Sequence, residues 1–283
     1  METTVEPTIA VTGATGHLGG LVARALAERG IPQRLVVRDP SRAPQLPGAV
    51  AVQASYEDVA ALTEAVRGVE TVLFVSGHEG PQRMAQHRAA IEAFVAARLK
   101  RVVYTSFLGG DPQASFTYAR DHHETEQLLR ASGLGFTFLR PSFYLDHVAQ
   151  WSDDQGVVRG PAGHGRIAWV SREDLAEVAV AALFDDSLAG RTLDVTGARL
   201  MTIEQTLVEL DRVTGGNHRF VDETVEEAYA SRRAAYPEAP DWELDGWVGT
   251  YLAIARGEMT VASDVVAELT GHPPRTFADL HRA

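Results

Sequence analysis

The first 140 residues alternate between short apolar runs and longer stretches with helical periodicity. The runs are rich in Val, Leu and Phe and mostly apolar on both faces, as strands inside a parallel sheet are. They comprise residues 9–11, 33–38, 49–54, 70–76, 101–106 and 136–140. Helical patterns lie between them, near residues 18–29, 57–67, 82–98 and 117–132. This alternation predicts an α/β fold in which helices cover both faces of a doubly wound parallel sheet.

Beyond Pro141 the strand and helix signals are weaker. "SRED" predicts the start of a helix over residues 174–184, "RTLDVTG" predicts one more strand, and "TIEQ" and "TVEE" predict two further helix starts. We predict a sheet domain over residues 1–150. Residues 151–283 are predicted to supply the remaining strands and a small, mostly helical C-terminal lobe, which is interleaved with the sheet domain.

Composition excludes several classes of function. The chain has 26 Lys and Arg against 38 Asp and Glu, and its net charge of −12 argues against binding to nucleic acid or to an anionic membrane. Cysteine is absent, so a disulfide, a thiolate nucleophile and a zinc–thiolate site are excluded. No apolar run approaches 18 residues, and the start "METTVEPT" is polar and acidic. We therefore expect a cytoplasmic protein.

Three glycines occupy the turn between the first strand and the first helix, at Gly13, Gly16 and Gly19. Glycine lets the backbone turn sharply and approach a ligand closely. The N–H groups of the first helical turn have no partner within the helix and favour an anion. A tight turn without a ligand is the alternative interpretation, but the position after the first strand favours a dinucleotide phosphate site.

The end of the second strand bears on the choice between NAD and NADP. An acidic residue there would bind a ribose 2′-hydroxyl, whereas an arginine would accommodate a 2′-phosphate. The strand ends in "VVRDPSR", so Arg38 predicts NADP(H), with Arg42 as a second basic residue nearby. Asp39 is contrary evidence, because an inward-facing carboxylate would repel a 2′-phosphate.

Several motifs, in order along most of the chain, resemble one known family. They are "TGATGHLGG", "VVRDPSR", "GPQRMAQHRAAIEAFVAA", "VVYTSFLG", "DHHETEQLLRASGLGFTFLRPSFY" and "TGHPP". Together they resemble the NmrA-like atypical short-chain dehydrogenases/reductases, and most of all the NADPH-dependent quinone oxidoreductases and triphenylmethane-dye reductases. The resemblance implies a Rossmann-type fold whose C-terminal lobe shapes the substrate pocket. It also implies hydride transfer from NADPH without flavin in many members, and NADP(H) sensing without catalysis in others.

The same resemblance assigns cofactor contacts to positions of this chain. The pyrophosphate loop would be formed by Gly13, Thr15, Gly16, His17 and Leu18, and Arg38 would bind the 2′-phosphate. Residues that follow the fourth and fifth strands would lie along the cofactor, and those that follow the sixth strand would line the nicotinamide and substrate side. They are Ser76, Gly77, Thr105, Ser106, Phe107, Pro141, Ser142, Phe143 and Tyr144.

The chain lacks the Tyr-x-x-x-Lys pair that most short-chain reductases use for proton transfer. "YARDH" instead places Tyr118 and His122 four residues apart, so that both fall on one face of a helix. A protonated His122 could stabilise a Tyr118 phenolate, which makes this pair the candidate catalytic residues. The alternative is a surface tyrosine with a helix-capping histidine. The neighbouring His123 is expected to face solvent.

Aromatic residues could form the walls of a site for a flat substrate. Those singled out are Phe107, Phe143, Tyr144, Trp151 and Trp169. For an electron-poor quinone, water can protonate the reduced oxygens, whereas a ketone makes a donor such as Tyr118 more necessary. No group of residues has the spacing of a metal site.

The sequence thus predicts a monomeric or homodimeric NADPH-dependent reductase that acts on a quinone or another conjugated or aromatic carbonyl compound. A non-catalytic NADP(H)-sensing regulator of the NmrA type is the alternative. A sugar-nucleotide epimerase or dehydratase shares the glycine motif but usually depends on the Tyr–Lys pair, which is missing here.

Overall fold

A computed structural model describes residues 7–281 of the chain. Its first part alternates strands and helices as the sequence predicts. The elements are β1 (Ile9–Thr12), α1 (His17–Glu28), β2 (Gln33–Val37), β3 (Ala49–Gln53), α2 (Val59–Ala65), β4 (Thr71–Phe74), α3 (Arg83–Ala96), β5 (Arg101–Thr105), α4 (Thr117–Ala131) and β6 (Gly135–Pro141).

The second part contains shorter strands and most of the remaining helices. They are β7 (Val157–Gly160), α5 (Arg172–Phe184), β8 (Thr192–Val195), α6 (Ile203–Thr214), β9 (Arg219–Asp222), α7 (Val225–Ala235), α8 (Asp241–Ala255), α9 (Val265–Thr270) and α10 (Phe277–Leu280). Within residues 7–281, no helix is both long enough and apolar enough to cross a membrane.

Seven strands form one sheet in the order β3-β2-β1-β4-β5-β6-β8, and the strand pairs from β3 through β6 are all parallel. The chain builds outward from β1 to β3 and then crosses to β4 on the other side of β1. In such sheets, ligands bind at the carboxyl ends of the strands where the order reverses, which here are β1 and β4. The predicted α/β class with a doubly wound parallel sheet is confirmed.

The predicted helix starts have a visible cause. Thr202 and Thr224 each begin a helix with a reciprocal capping box, in which the threonine hydroxyl accepts the N–H of the third helical residue. Ser171 Oγ accepts the Asp174 N–H at 2.9 Å and so caps α5. Gly215 ends α6 at a φ of +70°, a left-handed conformation that glycine adopts without strain.

The residues divide into two compact units, each made of several chain segments. The first holds the described residues up to Ser106 together with Glu124–Arg140 and Leu175–Leu193. The second holds Phe107–His123, Pro141–Asp174 and the described residues from Asp194 onward. The division near residue 150 stays a prediction, because these units are not continuous in sequence.

Each unit has its own apolar core. In the first unit, the centroid of the Phe74 ring lies 5.3 Å from that of Phe94 and 5.2 Å from that of Tyr104, and all three side chains are fully buried. In the second unit, apolar residues of α6 and α8 form one buried cluster with aromatic side chains that include Phe107 and Trp169. Burial of each large side chain contributes on the order of 2 kcal/mol.

Candidate functional site

The turn between β1 and α1 depends on its first glycine. Gly13 has a φ of +65°, in the left-handed region, and its carbonyl accepts the Gly16 N–H at 2.9 Å. A β-carbon on Gly13 would also lie 3.2 Å from the Val75 side chain. The backbone can therefore reverse direction within four residues and lead straight into the helix.

The third glycine allows the start of α1 to pack directly against the loop. A β-carbon on Gly19 would lie 2.4 Å from the Gly13 carbonyl oxygen, so α1 touches the loop backbone. Within residues 7–281, no side chain caps α1 and its first turn carries no acidic residue. Thr15, Gly16 and His17 are exposed, and Leu18 is buried as an anchor. This cradle fits the pyrophosphate of a dinucleotide, because the first helical N–H groups and the helix dipole favour an anion.

Arg38 lies directly after the last residue of β2 and is exposed. Within the described part of the chain, its guanidinium takes part in no hydrogen bond or ion pair, whereas its carbonyl accepts Gln53 Nε2 at 3.1 Å. Asp39 Oδ1 accepts the Ser41 N–H at 3.0 Å and the Ser41 hydroxyl at 2.7 Å. These two hydrogen bonds lower the pKa of Asp39. The contrary carboxylate is thus occupied in capping the turn after β2.

The carboxyl end of β4 is held by side chains from neighbouring strands. Thr12 Oγ1 accepts the Val75 N–H at 2.9 Å and donates to the Leu73 carbonyl at 3.0 Å. The Tyr56 hydroxyl lies 2.6 Å from both Thr12 Oγ1 and the Val75 carbonyl, and burial raises the pKa of Tyr56. Because Thr12 binds Val75 with its side chain, β4 ends at Phe74, two residues earlier than the sequence predicts.

Ser76 and Gly77 follow this strand end, and both are fixed through their backbone. The Ser76 N–H donates to Thr105 Oγ1 at 2.9 Å, and the Gly77 N–H donates to His87 Nε2 at 2.8 Å. His87 Nδ1 lies 2.8 Å from Thr125 Oγ1. Since Nε2 accepts, Nδ1 carries the hydrogen. Burial and the charge of Arg83 lower the pKa of His87 to about 3, so the ring is neutral.

Ser106 follows the end of β5 and has two fixed partners. Its N–H donates to the Leu139 carbonyl at 2.7 Å, and its hydroxyl donates to Glu126 Oε1 at 2.6 Å. Arg140 grips the same carboxylate through two bonds of 2.7 and 2.6 Å. Thr105, Ser106 and Glu126 are all buried. The ends of β5 and β6 are therefore joined by backbone and side chains together.

In the second unit, most of the predicted aromatic wall is a single cluster. Phe107 lies 4.8 Å from Phe143, Phe143 lies 5.5 Å from Trp151, and Trp151 lies 5.0 Å from Trp169, measured between ring centroids. Phe143 and Trp151 are only partly buried. The Tyr144 ring lies under the Arg172 guanidinium, 5.7 Å from its central carbon. The cluster offers flat apolar surface of the kind that aromatic ligands bind.

Tyr118 and His122 lie one turn apart on α4, and both are buried. A β-carbon on Gly246 of α8 would lie 2.5 Å from the Tyr118 ring, and the Trp242 ring lies 6.2 Å away. His122 stacks on Phe107 at 6.0 Å. Tyr118 is thus not a surface residue. His123, expected to face solvent, is half-buried, because the Gly110 loop packs on it and places its carbonyl 3.4 Å from His123 Nδ1.

Pro141 and Ser142 are fixed at the end of β6. The Pro141 carbonyl accepts the Leu108 N–H at 3.0 Å, and the Ser142 N–H donates to the Val195 carbonyl at 3.1 Å. Ser142 is fully buried, and its hydroxyl has no hydrogen-bond partner among residues 7–281. A buried hydroxyl without a partner costs stability, so this position fits a ligand that supplies the missing bond.

Residues 13–186 match the model of a family described as NAD(P)H-binding. The chain belongs to this family. Its NmrA-like motifs place it among the atypical short-chain dehydrogenases/reductases, as the sequence predicts, and it is an NAD(P)H-dependent oxidoreductase.

Relatives match this family member over nearly their whole lengths. Quinone oxidoreductase 2 of Escherichia coli is 34% identical over 96% of each chain. The (4-alkanoyl-5-oxo-2,5-dihydrofuran-3-yl)methyl phosphate reductase of Streptomyces griseus is 36% identical over 96% of this chain and 95% of its own. Among solved structures, the E. coli NADPH-dependent quinone oxidoreductase complexed with NADPH has a TM-score of 0.87, with 32% identity over 96% of this chain and 98% of the other. Triphenylmethane reductase of Citrobacter sp., complexed with NADP(H), has a TM-score of 0.84, with 26% identity over 97% and 99%.

Sequence reasoning missed the residues that hold the candidate site in shape. They are Tyr56, Thr125, Glu126 and Arg140. A signal for two of them is present in "HHETE", whose Thr125 contacts His87 and whose Glu126 contacts Ser106 at the end of β5.

Proposed function

We propose that the protein is an NADPH-dependent reductase that transfers hydride to a quinone or another conjugated or aromatic carbonyl compound. The choice of NADPH rests on the two residues that follow β2, Arg38 and Asp39. Arg38 is exposed, its guanidinium makes no hydrogen bond or ion pair within residues 7–281, and the Asp39 carboxylate accepts two hydrogen bonds from Ser41. An arginine in this position suits a 2′-phosphate, to which it can donate paired hydrogen bonds.

Different residues of the site would bind different parts of the cofactor. Gly13, Thr15, Gly16, His17 and Leu18 would hold the pyrophosphate at the N-terminus of α1. The nicotinamide half would be bound by residues that follow β4, β5 and β6. Those proposed are Ser76, Gly77, Thr105, Ser106, Phe107, Pro141, Ser142 and Phe143.

The acceptor is proposed to be flat and conjugated. Phe107, Trp151 and Trp169, with Tyr144, would provide apolar walls for it, and partly buried rings such as Trp151 suit stacking. The cofactor, when bound, supplies the hydride, so the chain's task is to orient the acceptor and to exclude water. The names of the E. coli and Citrobacter relatives support this substrate class, because those proteins are a quinone oxidoreductase and a triphenylmethane reductase.

A ketone would make a proton donor necessary, and Tyr118 with His122 is the proposed pair. Both lie on one face of α4 and are shielded from water. For a quinone, the reduced oxygens can take protons from water after hydride arrival. The pair would then be dispensable for that substrate.

Purified protein should be titrated with NADPH and NADH and then tested for NADPH oxidation with a panel of quinones and a panel of aromatic ketones. We expect tighter binding of NADPH than of NADH, and steady turnover with at least one quinone. Tight NADPH binding without turnover of any acceptor would contradict a reductase and favour an NADP(H) sensor. Equal binding of NADPH and NADH would contradict the choice of cofactor.

A further inference from the structure

Glu126 is a charged side chain inside the first unit, close to a predicted cofactor residue. Its side chain is 1% exposed. A buried ion pair is costly to desolvate and often adds little to stability, so its presence needs a reason beyond packing. One such reason is that Glu126 orients the Ser106 hydroxyl, to which it is hydrogen-bonded.

Arg140 fixes the plane of the Glu126 carboxylate. Its Nε donates to Oε1 at 2.7 Å and its Nη2 donates to Oε2 at 2.6 Å, which is a two-pronged pairing. The Arg130 guanidinium lies farther from the same carboxylate, with Nη2 4.0 Å from Oε2. The carboxylate therefore cannot rotate away from its third contact, the Ser106 hydroxyl at 2.6 Å.

This contact decides the direction of the Ser106 hydroxyl. A carboxylate in an ion pair only accepts hydrogen bonds, so the single hydroxyl hydrogen of Ser106 points to Glu126. The lone pairs of Ser106 Oγ are all that remain for another partner. A ligand group at this oxygen must therefore be an O–H or N–H donor.

The backbone adds to this constraint. The Ser106 N–H is bound to the Leu139 carbonyl at 2.7 Å, and the preceding Thr105 Oγ1 accepts the Ser76 N–H at 2.9 Å. Ser106 is thus immobile at the carboxyl end of β5, where this class of sheet binds ligands. The nicotinamide half of NADPH carries matching donors, namely the ribose hydroxyls and the carboxamide N–H₂.

We propose that Glu126 is a positioning residue which holds the Ser106 hydroxyl as a hydrogen-bond acceptor for a donor group of the nicotinamide-ribose half of the cofactor. This inference rests on the proposed binding of NADPH. Arg140 takes part indirectly, because it keeps the carboxylate in place.

Two ligands separate this inference from the proposed function. NADPH contains the nicotinamide half, whereas adenosine 2′,5′-bisphosphate contains only the adenosine half with its 2′-phosphate. Both are titrated by calorimetry into wild type, Ser106→Ala and Glu126→Gln. We expect each substitution to weaken NADPH about tenfold, as the loss of one oriented hydrogen bond would, and to leave the bisphosphate within about twofold.

The double variant provides a second readout that packing alone would not produce. Because both residues act on one hydroxyl, Ser106→Ala combined with Glu126→Gln should bind NADPH about as weakly as the weaker single variant. If the losses of NADPH affinity in the two single variants multiply in the double variant, the inference is wrong. If Glu126→Gln fails to fold, Ser106→Ala decides the question, since it leaves the Glu126–Arg140 pair intact.

A matched control comes from another buried carboxylate–arginine pair. Glu223 binds Arg232 Nη1 at 2.6 Å in the second unit, with a side chain that is 8% exposed. Glu223→Gln should lower stability without weakening NADPH. Suppose that wild type binds both ligands. If Ser106→Ala and Glu126→Gln then bind NADPH as wild type does, or if they lose affinity for both ligands equally, the inference is wrong and the proposed function stands. If wild type binds neither ligand, both are wrong.

Discussion

The Gly13 carbonyl oxygen lies so close to Gly19 that a β-carbon on Gly19 would be 2.4 Å from it. Helix α1 therefore rests directly on the loop that precedes it, and the separation is set by backbone atoms that cannot move aside. The contrast with Gly16 is informative. A β-carbon there would lie 3.3 Å from the same oxygen, a distance that a small shift relieves.

Alanine at these two glycines should have different effects. Gly19→Ala should lower the free energy of unfolding by several kcal/mol, because the helix must move off the loop. Gly16→Ala should remain folded but bind NADPH at least about tenfold more weakly, because it adds a methyl group to the exposed turn that is proposed to hold the pyrophosphate. Urea unfolding and calorimetric titration measure the two effects. A Gly16→Ala protein with unchanged NADPH affinity would argue against phosphate binding at this turn.

Arg38→Ala should weaken NADPH by about 10- to 100-fold, because a charge-assisted contact to the 2′-phosphate is lost. NADH lacks that phosphate, so its affinity should change less than about threefold. Arg42→Ala is the matched control, since Arg42 is also exposed and belongs to the turn capped by Asp39. Equal losses for NADPH and NADH in Arg38→Ala would exclude the proposed role.

His87 should make the stability of the protein depend on pH. Its pKa is lowered from 6.5 to about 3 in the folded protein, chiefly by burial. Between these values the unfolded chain takes up a proton that the folded chain excludes. Stability is therefore complete above about pH 6.5 and declines as the pH falls toward 3.

His87→Gln keeps an acceptor for Gly77 and a donor for Thr125 but does not titrate. Between about pH 8 and pH 5, wild type should lose roughly 2 kcal/mol more unfolding free energy than this variant. Urea unfolding at both pH values measures the difference. Parallel losses in the two proteins would mean that His87 is not the group responsible.

The sheet was predictable because its strands are apolar on both faces, and the tight turn between β1 and α1 was predictable because its glycine spacing is local. The residues at which the strands end were harder to predict. The run at residues 70–76 continues past Phe74, yet the bond from Val75 to Thr12 ends the strand there. That contact joins residues 63 positions apart, and no local pattern indicates it.

The same limit applies to the supports of the candidate site and to the C-terminal lobe. Glu126 meets Ser106 across 20 residues and His87 meets Thr125 across 38, so their roles depend on the folded sheet. In α8, Gly246 and Gly249 weaken the helical signal, because glycine is a poor helix former. In the structure they permit close approach, to the Tyr118 ring and to the Ser115 carbonyl respectively.

Tyr118 provides the sharpest separation between a ketone reductase and a quinone reductase. If its hydroxyl is the general acid, Tyr118→Phe should slow reduction of an aromatic ketone by about 100-fold or more. Quinone reduction should stay within about twofold, because water can supply the protons. The substitution keeps the ring against Gly246 and Trp242, so the fold should be preserved. Tyr251→Phe is the control, as Tyr251 is another buried tyrosine of the aromatic cluster. Steady-state rates with both substrate classes measure the effect, and an unchanged ketone rate in Tyr118→Phe would leave Tyr118 with a packing role alone.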